Sequence, residues 1–283
     1  MKSKIPFRIF LGLFLLFSAL QVSAQQSASG QADTANSSQS SSQSADAGSP
    51  ALSPKALQVE RAKVMMAEKR FDSAIQEYQD LLREEPKNAV YMNMIGIAYL
   101  DLANFDLAKK YFARAAKADK TFASAVNNLG MVYYHQKNFR GAIRQYQRAV
   151  LIDPNQAGAH SNLGFAYYNS NKFAEAAVEF QKALELDPRI FERNDKAGAV
   201  VQDRSVSNHG LFFFTMAKIY AQRNDAEHCA EYLRKSLDEG YKDVAKAATD
   251  PAFKDVINDQ VVQDVLARVL PAKTDDSATH PGA

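Results

Sequence analysis

Asn128 and Asn162 stand 34 residues apart, each two positions ahead of a glycine, Gly130 and Gly164, inside stretches that otherwise read as helix. Glycine costs roughly 1 kcal/mol in a helix interior relative to alanine, and asparagine is also a poor helix former. A carboxamide offers a donor and an acceptor side by side, which matches the N–H and C=O of an extended peptide. The same side chain can instead bond locally or to water, and the spacing leaves both readings open.

The other residues able to carry chemistry do not form a site in sequence. His135, His160, His209, His228 and His280 contain no HExxH or other spaced metal cluster. There is no glycine-rich phosphate loop and no GxSxG. Ser205, Ser207 and His209 lie close together, but a loop cluster is not a triad. Cys229 is the one cysteine, so no intramolecular disulfide can form, and its place in a column of small residues reads as structural burial. The carboxylates of "AEAAVEFQKALELD" read as a solvated helix face with i,i+4 partners. These observations predict no catalytic residue, no metal and no cofactor.

Those residues sit on a repeating frame. Ala62, Gly96, Gly130 and Gly164 are spaced by 34, as are Met65, Tyr99, Tyr133 and Tyr167. The same period relates Ala74, Ala108, Ala142 and Ala176, and Tyr78, Phe112, Tyr146 and Phe180. Pro86, Pro154 and Pro188 share one register, with Lys120 in place of the expected proline. A fixed period of this length is the mark of stacked units, each unable to bury its apolar face alone.

A helix–turn–helix unit carrying this glycine, tyrosine, alanine and proline pattern resembles the tetratricopeptide repeat (TPR). The expected fold is all-α, a right-handed α-solenoid of TPR hairpins with a short helical C-terminal extension. Four repeats are expected at residues 55–88, 89–122, 123–156 and 157–190. The first is degenerate, with Arg61 and Ala62 in place of Leu and Gly. An insertion at 191–209 precedes a divergent fifth repeat at 210–243, where Ala217, Tyr220 and Cys229 take the glycine, tyrosine and alanine columns. A helical cap at 244–270 follows. Gly96, Gly130 and Gly164 are expected where paired helices approach most closely, with Tyr99, Tyr133 and Tyr167 filling between hairpins and Ala108, Ala142 and Ala176 packing on the second helices.

The resemblance also implies a ligand groove lined by the first helix of each repeat. Its lining positions are Val90, Asn93, Met94, Ile97 and Leu100 in repeat two and Ser124, Asn127, Asn128, Met131 and Tyr134 in repeat three. Repeat four supplies Gly158, Ser161, Asn162, Phe165 and Tyr168. Asn128 and Asn162 resemble the asparagine ladder with which some TPR superhelices grip an extended peptide. The principal groove candidates are therefore Asn93, Asn127, Asn128, Met131, Tyr134, Asn162, Phe165 and Tyr168. The two-carboxylate clamp of other TPR arrays is absent, because Val90, Ser124, Gly158, Met94, Asn128 and Asn162 stand where it needs Lys and Arg.

The ends carry other signals. Lys2, Lys4 and Arg8 precede the apolar run "IFLGLFLLFSAL", and "VSA" ends at Ala24, the pattern of a secretory signal cleaved before Gln25. Retained, the same run would instead be an anchor. Residues 25–54, rich in Ser, Gln and Ala, lack the large apolar groups needed to offset ordering entropy, and a polar tail is expected at 271–283. The formal charge of +2 includes three basic and no acidic groups in residues 1–24, leaving −1 for the remainder. That gives no bulk electrostatic case for nucleic acid or anionic membrane. The expectation is a non-enzymatic scaffold in a bacterial envelope or periplasm that binds an extended segment of another protein, with no membrane insertion after cleavage. The competing expectation is a self-associating structural subunit of a secretion, polysaccharide-export or cell-wall assembly.

Overall fold

The computed structural model describes residues 53–192 and 208–270. The signal segment, nearly all of the Ser/Gln-rich linker, most of the insertion and the C-terminal tail lie outside the described residues.

Five hairpins follow one another. They are α1 (Pro54–Ala67) with α2 (Phe71–Glu84), α3 (Ala89–Asp101) with α4 (Phe105–Ala118), and α5 (Ala123–His135) with α6 (Phe139–Ile152). Then come α7 (Ala157–Tyr168) with α8 (Phe173–Leu186) and α9 (His209–Gln222) with α10 (Ala226–Asp238). Two 3₁₀ segments, Lys242–Ala248 and Pro251–Phe253, and α11 (Gln260–Leu266) close the C-terminal end. The described residues contain no strand. Each second helix packs on the first helix of the next hairpin, α2 on α3, α4 on α5 and α6 on α7, which makes an α-solenoid.

The turns explain why the hairpins recur. Lys69, Ala103, Lys137, Asn171 and Asn224 all take φ between 57° and 59°. Each sits just after a first helix, where a left-handed residue lets the chain reverse and satisfy the last carbonyls. The amides of Asn104, Asn138, Lys172 and Asp225 reach back to the carbonyls of Tyr99, Tyr133, Tyr167 and Tyr220 at 2.8–3.0 Å. Asn104, Asn138 and Asp225 then cap the following helix through their side chains. At the other end, Asp119, Asp153 and Asp187 accept from the amides of Thr121, Asn155 and Arg189. This aspartate turn accounts for Lys120, because the preceding side chain closes the turn whether or not a proline follows. Ser53 caps α1 by accepting from Ala56 N–H at 3.2 Å, with Pro54 at the first helical position.

Three glycines make room for rings. A Cβ on Gly96 would stand 2.6 Å from Phe112, one on Gly130 2.6 Å from Tyr146, and one on Gly164 2.5 Å from Phe180. In each hairpin the glycine of the first helix is the seat of an aromatic from the second. Ala74, Ala108, Ala142, Ala176 and Cys229 are all fully buried. Tyr99 stacks on Tyr111 at 5.6 Å, Lys109 lies over the Tyr133 ring at 4.7 Å, and Gln147 donates to the Tyr167 hydroxyl at 2.8 Å.

Two departures from the regular pattern matter. The expected 191–209 insertion is shorter at both ends: Phe191 packs its ring on Phe165 and Phe180, and His209 already belongs to α9. Among the described residues the first hairpin also ends the stack. Leu57 and Val64 are 55% and 53% exposed, whereas their counterparts Ala125 and Ala159, and Ala98, Val132 and Ala166, are fully buried against the preceding hairpin.

Candidate functional site: the face formed by the first helices

The asparagines of α3, α5 and α7 bond to one another across the repeats. Asn128 Nδ2 donates to Asn93 Oδ1 at 2.9 Å, and Asn162 Nδ2 donates to Asn127 Oδ1 at 3.0 Å. Asn127 and Asn128 are joined at 3.5 Å. The sixth residue of one repeat thus donates a hydrogen bond to the fifth residue of the repeat before it. The frame dictates this: stacked first helices bring these positions together, and a buried carboxamide without a partner is costly. All four are buried, from 6% exposure at Asn93 to none at Asn162. Two neighbouring bonds strengthen the same seams, Gln156 to the Ser124 hydroxyl at 3.1 Å and Asn169 to the Tyr134 hydroxyl at 2.6 Å.

Among the described residues the relay is not continued beyond repeat four. Ser161 continues the Asn93 and Asn127 column, yet its hydroxyl is buried with no hydrogen-bond partner. On α9, Thr215 turns its hydroxyl to its own helix, onto the Leu211 carbonyl at 2.9 Å. Rings take over instead. Phe212 of α9 lies 5.5 Å from Phe165, 5.7 Å from Tyr168 and 5.7 Å from Phe180. The Tyr168 hydroxyl donates to the Asn208 carbonyl at 2.9 Å.

Most of the lining residues expected from the sequence are buried. Phe165 and Tyr168 belong to an aromatic cluster: both meet Phe212, and Phe165 also meets Phe191. Asn93, Asn127, Asn128 and Asn162 bond to one another across neighbouring repeats, and Met131 and Tyr134 are buried as well. Of the lining residues that remain open, Gly158 is half-buried in repeat four and the rest lie nearer the N-terminal end. Val90 is 54% exposed, and Met94, Ile97, Leu100 and Ser124 are half-buried beside it. The positions were visible in the repeat register. Which of them stay open was not, because α9 and its phenylalanines enter after a break in the period.

Among the described residues no group of three or more His, Cys, Asp or Glu is placed to hold a metal ion. No described helix is long and apolar enough to cross a membrane. Burial pushes the Cys229 thiol up to about 12, so it stays protonated and unreactive near neutral pH.

The repeat register has independent support in sequence. A family model described as "TPR repeat" matches residues 130–171, and two described as "Tetratricopeptide repeat" match residues 65–130 and 157–190. The chain is a tetratricopeptide repeat protein. TPR hairpins are interaction modules, generally without catalysis, and this TPR array is a protein–protein interaction scaffold. No curated protein matches the chain. Among solved structures, the TPR array is similar to MamA from Desulfovibrio magneticus RS-1 (19% identity, 67% of this chain and 97% of that one, TM-score 0.47). It is also similar to YrrB, titled a TPR protein with an unusual peptide-binding site (20% identity, 68% and 91%, TM-score 0.44). A third is PilF of Pseudomonas aeruginosa (17% identity, 76% and 88%, TM-score 0.49).

Proposed function

We propose that this TPR array is a non-enzymatic adaptor that holds an extended segment of another protein against the first helices of its N-terminal repeats. The observation that carries this reading is the open strip of Val90, Met94, Ile97 and Leu100, bordered by Ser124. Apolar side chains left partly open along one helix of a repeat scaffold suit a partner's apolar side chains. The signal-like residues 1–24 support export to a bacterial envelope or periplasm.

Site-specific photo-crosslinking tests the surface. With the probe at Ile97, adducts should map to one short segment of a single partner, and a probe at Val178 on the exposed face of α8 should give none. Equal or greater yield at Val178 would sink the proposal. N-terminal sequencing of the exported protein should begin at Gln25; a chain that retains Met1 or Lys2 contradicts cleavage.

A second reading, a self-associating subunit, draws on the exposed Leu57 and Val64 at the end of the stack. Under it, Leu57→Glu/Val64→Glu turns a concentration-dependent oligomer into a monomer in sedimentation equilibrium. A wild-type chain that is monomeric throughout excludes it.

A further inference from the structure

His160 is a buried histidine that the relay and the open strip do not use. It lies on α7, 6% exposed, at the joint between the third and fourth hairpins. Its Nδ1 is 2.7 Å from Glu179 Oε2 on α8. Its Nε2 is 3.0 Å from the Pro154 carbonyl in the α6–α7 turn. Both partners are acceptors. A neutral imidazole has one N–H and one lone pair, so it would aim a lone pair at one of these oxygens whichever tautomer it took. Only the imidazolium donates to both.

We propose that His160 is a proton-operated latch, in which the imidazolium ties the turn of repeat three to the second helix of repeat four and loss of its proton loosens that joint. The charged groups facing the ring are Glu179, which favours the imidazolium, and Lys182, which opposes it, both on α8; the turn contributes only the Pro154 carbonyl. The Tyr167 hydroxyl lies near Glu179 but is engaged by Gln147. Asn162 follows His160 by two residues, so latch and amide relay act on the same joint. The latch stands whether or not the N-terminal strip binds a peptide.

The hydrogen bond to Glu179 holds the His160 ring above its ordinary value, against the opposing pull of burial. A folded-state value above the unfolded one gives stability that is fully present below the unfolded pKa, about 6.5, and lost as pH rises through the folded value.

The test is an NMR titration of the histidine ring nitrogens in the full chain. His160 should keep both nitrogens protonated at the ordinary histidine value of about pH 6.5 and titrate above it. A midpoint at or below that value overturns the proposal. In urea denaturation, the gap between wild type and His160→Gln should shrink as pH rises from acid to alkaline; a gap independent of pH also overturns it. Should His160→Gln fail to fold, Glu179→Gln decides: it must lower the His160 midpoint, and an unmoved midpoint refutes the latch.

Discussion

Two seams hold the first helices of this array together, and they are built from opposite chemistry. Between repeats two, three and four the seam is polar: Asn128 bonds to Asn93 and Asn162 to Asn127. Between repeats four and five it is aromatic, with Phe212 set among Phe165, Tyr168 and Phe180. A net hydrogen bond contributes about 1 kcal/mol, whereas a fully buried ring contributes several times that through area and packing. The polar seam is weaker but keeps strict register, because each amide needs its partner at one position. The aromatic seam tolerates the insertion that precedes it, because rings need volume rather than a register.

Three substitutions separate the seams. Phe212→Ala should have the largest effect, a loss of about 3–5 kcal/mol, since it empties the centre of the ring cluster. Urea denaturation should show the fifth hairpin and C-terminal cap melting ahead of repeats one to four. A single unchanged transition would show that the rings are not what joins them. Gly164→Val should cost about 1–3 kcal/mol by pushing Phe180, which belongs to its own hairpin and to the ring cluster. A melting temperature equal to wild type would break the glycine–aromatic account. Ser161→Ala should have the smallest effect, neutral or slightly stabilising, because the hydroxyl it removes is buried without a partner. A loss above about 1 kcal/mol would mean that the relay extends into repeat five after all.

Much of this was legible in the sequence, for a physical reason. The hairpins repeat because the same small residue must seat the same ring each time, and Gly96 with Phe112, Gly130 with Tyr146 and Gly164 with Phe180 keep that pairing at constant spacing. The asparagine columns were equally visible, but a column does not say where an amide points. Whether Asn128 turns to a ligand or to Asn93 depends on how closely α3 and α5 stack, which no local pattern encodes. The aromatic seam was hidden for a different reason. The run Leu211–Phe214 is apolar on every side, and the recovered register puts Phe212 in the column of Ala125 and Ala159 without saying which rings it meets. His160 likewise looked like any helical histidine until Glu179 and the Pro154 carbonyl were brought to its two nitrogens.

The central claim is that the asparagines tie repeat to repeat. Its most direct measurement is a double-mutant cycle on Asn93→Ala and Asn128→Ala, read by equilibrium urea denaturation of the full chain. The account predicts a coupling of about 1 kcal/mol between these residues, which are 35 apart in sequence and 2.9 Å apart in space. Additive losses, equal within about 0.3 kcal/mol, would contradict it and return the amides to the role of an open peptide-gripping ladder.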